Sequence, residues 1–300
     1  MQSTRRSFLG AAATASSLKA TKVEASATLP QVPFGDHKIS RLIIGSNQFY
    51  GFSHINQMLS RVMKEWSTPE RVAQTLRRAT ECGINTWQAG GGGGRAYTDR
   101  ELLRSQGGDI QLISLVRPDF DEQEVARERP IGIAHHGEVT DVAFREGKMA
   151  SVHEYLKRAR QTGVRVGVST HNPEVVAYIE EKGWDLDFYM TCAYRRTRTE
   201  EEFRRLLGGE LPLPPREIYL AEDPERMCQV VRQTRRTCLV FKILAAGRLV
   251  DSPKLLDGAF RNVLANIKPQ DCVIVGMFPL YKDEMQDNAG RLRRVLAELS

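Results

Sequence analysis

Gly163-Val164-Arg165-Val166-Gly167-Val168-Ser169 is the stretch from which the fold is most easily predicted. It follows a helical run at 148–162 and precedes a second one that opens at Asn172-Pro173. Glycine ends helices because it adopts left-handed backbone angles without steric cost, and proline suits the first helical turn. A β-branched apolar run between these two markers is typical of a strand covered on both faces. The stretch therefore predicts one strand and helix of a parallel sheet.

The same order recurs along the chain from residue 39 onward. Strands are predicted at 42–46, 84–89, 110–116, 131–135, 164–169, 186–192, 238–244 and 272–277, and helices at 69–82, 148–162, 173–182, 224–233, 253–267 and 282–299 among others. Eight strand and helix pairs match a closed barrel, whereas a doubly wound sheet usually stops at five or six strands. We predict the α/β class and a single (β/α)8 TIM barrel over residues 28–300.

Residues 1–27 are left out of this barrel. Thr4-Arg5-Arg6-Ser7-Phe8-Leu9 precedes a weakly apolar stretch at 10–17 and the triplet Ala25-Ser26-Ala27. This order resembles a twin-arginine signal peptide with its cleavage site. We expect the twin-arginine export machinery to deliver the protein to the periplasm; a disordered basic tail is the alternative. The twin-arginine route carries folded proteins, often with a cofactor in place, and so favours a bound cofactor without identifying it.

Charge and cysteine content exclude several classes of function. The formal net charge is +6, of which residues 1–27 supply +3, and the remaining cations are interleaved with acids. Nucleic-acid binding therefore has little support, and no apolar run approaches the roughly 20 residues of a membrane span. The five cysteines lack a Cys-x-x-Cys pair. We expect buried thiols, with at most one disulfide, and a small-molecule substrate.

Histidines mark the predicted ends of two neighbouring strands. His135 and His136 end the fourth strand, and His171 follows the fifth. Carboxyl ends of barrel strands meet at one mouth, and an imidazole there serves as general acid, general base or metal ligand. Glu138 and Asp141 lie close enough in sequence to complete a divalent-metal site. The alternative is that individual histidines only hydrogen-bond loop backbone.

Lys242 and three long loops complete the predicted mouth. Lys242 lies in the apolar run 240–244, where strand alternation places it inside the barrel. A buried lysine pairs with a carboxylate, binds an anion, or forms a Schiff base. The loops at 53–66, 90–94 and 195–219 follow strands, so we expect them to shape a pocket or lid over the same face.

The chain resembles the aldo/keto reductase superfamily over most of residues 28–300. The runs 39–45, 83–87, 167–174, 187–194, 244–249 and 273–276, the last with Asn288, are similar in order and spacing to that family's strands. The resemblance implies a nicotinamide cofactor across the barrel mouth and a catalytic Asp, Tyr, Lys and His.

The catalytic set is only partly present. His135 or His136 matches the histidine that orients the substrate carbonyl, and Gln88 stands where the aspartate is expected. No lysine ends the third strand, and Tyr97 is the nearest phenol to the tyrosine's position. A carbonyl reductase needs an acid to protonate oxygen, so His135 or His136, or else Tyr97 or Lys242, would have to replace the usual one.

Cofactor positions are mixed as well. The resemblance implies that Ser169 binds the carboxamide, Phe241 stacks on nicotinamide and Asn288 contacts adenine. Thr191 replaces the usual glutamine, and Glu284 stands in place of the arginine that binds the 2′-phosphate. Because an acid repels a phosphate, NAD is favoured over NADP.

The leading hypothesis is an aldo/keto-reductase-like oxidoreductase acting on a small carbonyl or sugar-like compound. One alternative is a nicotinamide-free isomerase, lyase or hydrolase that uses a divalent metal or histidines on the same barrel. Another is a non-catalytic periplasmic binding protein.

Overall fold

Ten strands and eleven helices make up the part of the chain that the computed structural model describes, residues 28–90, 94–211 and 217–300. The strands are β1 (Gln31–Phe34), β2 (His37–Ser40), β3 (Leu42–Gly45), β4 (Thr86–Gly90), β5 (Gln111–Val116), β6 (Gly132–His135), β7 (Arg165–Thr170), β8 (Phe188–Cys192), β9 (Thr237–Phe241) and β10 (Cys272–Val275). Strands β3 to β10 are parallel in chain order, and β10 pairs with β3 to close the ring. The predicted (β/α)8 barrel is confirmed.

Helices follow the barrel strands on the outside. They are α1 (Gln57–Trp66), α2 (Pro69–Glu81), α3 (Arg95–Ser105), α4 (Glu122–Glu128), α5 (Gly137–Arg145), α6 (Met149–Arg160), α7 (Pro173–Glu181), α8 (Glu200–Leu207), α9 (Asp223–Gln233), α10 (Pro253–Leu264) and α11 (Glu284–Leu299). The expected start signals are present: Thr68 and Asn172 cap helices whose first residue is proline. The predicted long loops at 53–66 and 195–219 contain α1 and α8.

Alternation along the strands separates two hydrophobic layers. Ile43, Ala134 and Leu239 belong to the cluster that fills the barrel, whereas Leu42 and Ile44 belong to the layer beneath the helices. Successive strand residues point to opposite faces, so each strand supplies both layers. This alternation decides which side chains at the strand ends face the mouth.

The N-terminal hairpin closes the other end of the barrel. The run 39–45, expected to be one strand, is divided between β2 and β3, and β1 pairs with β2 in antiparallel register. Phe34 packs edge to face on Phe188 with ring centroids 5.0 Å apart. A Cβ at Gly167 would lie 2.6 Å from the Phe188 ring, so only glycine fits beside this plug. The open end is therefore the carboxyl end.

Three further expectations concern the segments left out of the barrel, the cysteines and membrane spans. Residues 1–27, with the predicted export signal, and glycines 91–93 lie outside the described residues. All five cysteines are buried and free. None of the helices in the described ranges has the length and apolar character that a bilayer crossing requires.

Candidate active site

Two adjoining cavities open at the carboxyl end of the barrel. The larger, of about 470 Å³, we name the polar cavity; Gln88, Arg117, His136, His171 and Arg196 are on its wall. The smaller, of about 320 Å³, we name the apolar cleft; it extends over the ends of β9 and β10 between Leu59, Leu244, Val250 and Phe278. Both walls include Asn47, Gln88, Phe241 and Lys242. The cavities therefore meet at the end of β9.

His171 is fixed by a buried carboxylate. Its Nδ1 lies 2.8 Å from Asp141 Oδ2, and its backbone N–H donates to the same oxygen. Thr170 donates its hydroxyl to Asp141 Oδ1. Because Asp141 accepts the Nδ1 proton, Nε2 keeps a lone pair, and the His171 ring lies on the polar cavity wall. This is the arrangement of an oriented general base.

His136 faces the same cavity as a neutral imidazole. It precedes α5, and its buried Nδ1 has no hydrogen-bond partner in the described part of the chain. Burial lowers the pKa of His136 to about 4, and the positive charges of Arg117, Arg196 and Lys242 act in the same direction. A neutral imidazole with an unused ring nitrogen suits hydrogen bonding to a substrate oxygen.

His135 lies outside both cavity walls. Its Nδ1 is 2.7 Å from the Thr140 hydroxyl, and its ring packs edge-on against Tyr155 at 4.6 Å. Burial lowers the pKa of His135 to about 4. Ala134 takes the inward position of β6, so His135 turns toward the helices. Of the two histidines that sequence left open, His136 is at the mouth.

Lys242 lies at the mouth and not inside the barrel. The expected strand 238–244 ends at Phe241, and Lys242 has a left-handed φ of 59°. Its Nζ lies 5.3 Å from the Phe241 ring centroid. Burial lowers the pKa of Lys242. Non-glycine residues with such angles carry strain, and strain of this kind clusters at functional sites.

A set of charged side chains joins the loops above the cavity. Glu217 accepts from Arg196 at 2.9 Å and Tyr219 at 2.7 Å, and it lies 2.7 Å from His54 Nδ1. Burial alone would raise the pKa of Glu217. The hydrogen bonds and positive charges around it have the larger effect and lower the pKa to about 2. Arg196 also pairs with Glu138. The predicted lid loops 53–66 and 195–219 are thus fastened together, with residues 212–216 outside the described part.

The phenol on the cavity wall is Tyr50, which the sequence argument missed. Its hydroxyl donates to Asp99 Oδ2 at 3.3 Å, and Arg95 stacks over its ring. Burial raises the pKa of Asp99 to about 6. Tyr97 is in α3 beneath Arg127 and is on neither cavity wall. Tyr50 follows β3 in a short 3-10 turn, so its place just beyond a strand end was the available clue.

The residues predicted to bind a cofactor divide into two groups. Ser169 is on the polar cavity wall, and Phe241 borders both cavities. Thr191 lies on neither wall because Met190 takes the inward position of β8. The Thr191 hydroxyl is buried and has no partner within residues 28–90, 94–211 and 217–300. Asn288 is buried and accepts from Arg291 at 3.4 Å. Thr191 and Asn288 are therefore on neither cavity wall.

Metal ligation has no candidate set in the described residues. No three His, Cys, Asp or Glu side chains are grouped there as metal ligands. Glu138, one of the candidates, pairs with Arg196. Asp141 is engaged by Thr170 and His171, so its oxygens serve the imidazole instead.

Comparisons with known proteins address the fold. No family model matches the sequence, and a search of curated proteins finds no match. The apo form of Gox0644 superposes with a TM-score of 0.51 at 13% identity, over 91% of this chain and 94% of that one. A truncated 3-deoxy-D-arabino-heptulosonate 7-phosphate synthase from Thermotoga maritima gives 0.51 at 14% identity, over 90% and 94%. At these identities the likeness shows the TIM-barrel fold, and membership of the aldo/keto reductases stays a prediction.

Proposed function

We propose that the protein is an aldo/keto-reductase-like oxidoreductase acting on a small carbonyl or sugar-like compound, with NAD(H) in the apolar cleft. One observation carries this proposal: a carboxylate-oriented imidazole, His171, opens onto a polar cavity that joins an apolar cleft at Phe241. Carbonyl reduction needs a proton donor beside a hydride donor, and the two adjoining cavities provide a place for each.

The polar cavity supplies the proton transfer. In the oxidation direction His171 Nε2 takes the hydroxyl proton, and Asp141 stabilises the imidazolium that forms. In reduction the same nitrogen returns the proton to the carbonyl oxygen. His136, neutral because its pKa is about 4, hydrogen-bonds that oxygen and orients it. The Lys242 ammonium stabilises negative charge that develops there.

The cleft fits the nicotinamide half of the cofactor. Gln48 is on its wall, and its buried Oε1 has no hydrogen-bond partner among the described residues, so it is a candidate acceptor for the carboxamide. Phe241 offers a ring face beside it. Glu284 borders the cleft and accepts from the Phe278 N–H, so an extra phosphate would meet a carboxylate. Bound there, the nicotinamide would supply or accept hydride.

Energy transfer tests this cofactor assignment. Trp66 packs on Phe278 with ring centroids 5.1 Å apart, and Phe278 borders the cleft. Bound NADH should quench Trp66 emission and gain emission of its own. A Trp66→Phe variant should show less of this transfer, with Trp87 and Trp184 as the remaining donors, while calorimetry still detects binding. Absence of binding of both NADH and NADPH in calorimetry would overturn the proposal.

A second candidate is a nicotinamide-free isomerase or lyase that uses the histidines alone. The observation that favours it is the pair His171 and His136 on one cavity wall, an oriented base and a neutral hydrogen-bonding partner. Such an enzyme would exchange a carbon-bound proton of a carbonyl compound with solvent deuterium in the absence of NADH. A binding protein would bind the compound and exchange nothing.

A further inference from the structure

We infer that the substrate of the polar cavity carries an anionic group, a carboxylate or a phosphate, and that Lys242 and Arg117 bind it. The inference deepens the proposed function, because it names the substrate class of the same cavity. It rests on which cations around that cavity already have partners.

Lys242 has no ion-pair partner among the described residues. No hydrogen bond joins its Nζ to another of them, and its Nζ lies 5.3 Å from the Phe241 ring centroid. Its side chain is on the wall of both cavities. An ammonium held away from bulk water is costly unless something compensates its charge. The missing partner is therefore expected from the ligand.

Arg117 is the second cation without a partner. It follows β5 on the exposed rim of the polar cavity, and none of its guanidinium nitrogens is hydrogen-bonded within the described chain. The positive charges of Arg117 and Lys242 both lower the pKa of His136. Two unpaired cations thus act on the same imidazole. A guanidinium offers two parallel N–H donors to one carboxylate or phosphate.

The other cations of this cavity are already neutralised. Arg196 pairs with Glu138 and Glu217, and Arg95 lies 3.6 Å from Asp99. Glu217 is near enough to act on Lys242, but its oxygens are occupied by Arg196, His54 and Tyr219. The carboxylates at the mouth are therefore committed to other groups. The free positive charge is at Lys242 and Arg117.

Thermal unfolding with added anions tests the inference. The wild-type protein is titrated with sodium phosphate, sodium succinate or sodium chloride at matched ionic strength. A ligand of the folded state raises Tm with the logarithm of one plus the ratio of its concentration to Kd, and calorimetry gives Kd. We expect phosphate or succinate to raise Tm beyond chloride. Protection by phosphate alone would assign a phosphate monoester, and by succinate alone a carboxylate.

Substitutions locate the site. Lys242→Gln should weaken anion binding about tenfold or more, and Arg117→Gln about three- to tenfold. Lys254→Gln and Arg235→Gln remove exposed cations elsewhere and should leave Kd unchanged. Because Arg117 is exposed, its variant remains informative if Lys242→Gln does not fold. Equal protection by all three salts, or unchanged Kd in Arg117→Gln and any folded Lys242→Gln, would overturn the inference.

The result separates this inference from the cofactor assignment. Anion binding that depends on Lys242 and Arg117 without any binding of NADH would sustain the anionic site and remove the oxidoreductase proposal. Binding of NADH without selective anion binding would do the reverse.

Discussion

Asp141 Oδ2 lies 2.8 Å from His171 Nδ1, and both residues are buried. Asp141 comes from α5, which follows β6, whereas His171 directly follows β7. The carboxylate also accepts from the Thr170 hydroxyl and the His171 backbone N–H. It therefore ties the ends of two neighbouring units together and sets the direction of the imidazole at the mouth.

Replacing this carboxylate with its amide should harm both stability and catalysis. Asp141→Asn keeps the side-chain shape but replaces one accepting oxygen with an NH2 group, which faces groups that donate to the carboxylate in wild type. We therefore expect a loss of about 3 kcal/mol in the free energy of unfolding. Activity should fall by about 10²- to 10⁴-fold because the imidazole loses its orientation. Urea denaturation and turnover measure the two effects. Asp251→Asn, at an exposed position, is the control, and a stability equal to wild type would contradict this role.

Gly137 should be sensitive to a single added methyl group. A Cβ there would lie 2.9 Å from Ser169 Oγ and 3.2 Å from His171 Cε1. The methyl group added by Gly137→Ala should displace the His171 imidazole. Because the site would be overpacked, the free energy of unfolding should fall by about 1–3 kcal/mol. Shifted His171 ring resonances in NMR spectra would report the displacement.

Gly258→Ala is the matched control for that change. Gly258 is inside α10, and a Cβ there would meet nothing within 4 Å. Alanine has a higher helix propensity than glycine, so the free energy of unfolding of this variant should rise by about 0.5–1 kcal/mol. Identical His171 resonances in the two variants would contradict the proposed close approach at Gly137.

His135 should make the fold sensitive to acid. Burial lowers its pKa from 6.5 to about 4, so between these values the unfolded chain binds more protons and stability falls as pH falls. The pKa of Asp99 is raised from 3.8 to about 6, so between these values the folded chain binds more protons and Asp99 makes stability rise as pH falls. Comparing wild type with His135→Gln isolates the histidine. The variant's slope should be smaller by up to about 1.4 kcal/mol per pH unit in urea denaturation. Parallel slopes would show that His135 carries no such linkage.

The barrel was predictable because its markers are local. Glycine after a helix, proline at a first turn and β-branched runs act within a few residues, and Gly163 and Pro173 display them in order. The N-terminal hairpin was not predicted because the strand 42–46 matches β3 alone, and the family resemblance treated residues 39–45 as one strand. Pairing of Val32 with Ile39 depends on tertiary packing against Phe188, which no local pattern specifies.

The site was predicted in outline and not in detail. Strand-end position led to His136, His171 and Gln88, all on the cavity wall. The family resemblance misplaced Thr191, because Met190 takes the inward position of β8 and the next residue points to the opposite face. Tyr50 and the Arg196 contacts with Glu217 depend on loops that cross from different units. Such contacts have no signature in a single sequence.

Export by the twin-arginine route stays a prediction, with its basis in Arg5 and Arg6. A fusion to a reporter that is active only after folded export should reach the periplasm. Replacing both arginines with lysine should abolish this, since the export machinery recognises the arginine pair. Cell fractionation and the mass of the mature N-terminus, expected after Ala27, measure it. Export that survives the double replacement would contradict the prediction.

The central claim is that His171, oriented by Asp141, transfers a proton at a carbonyl beside bound NADH. The most direct measurement is oxidation of NADH, followed by its absorbance, with a panel of carbonyl compounds that carry a carboxylate or a phosphate. We predict turnover of at least one compound, with kcat reduced about 10²- to 10⁴-fold in His171→Gln. An undiminished rate in that variant, or no NADH oxidation with any compound, would contradict the account.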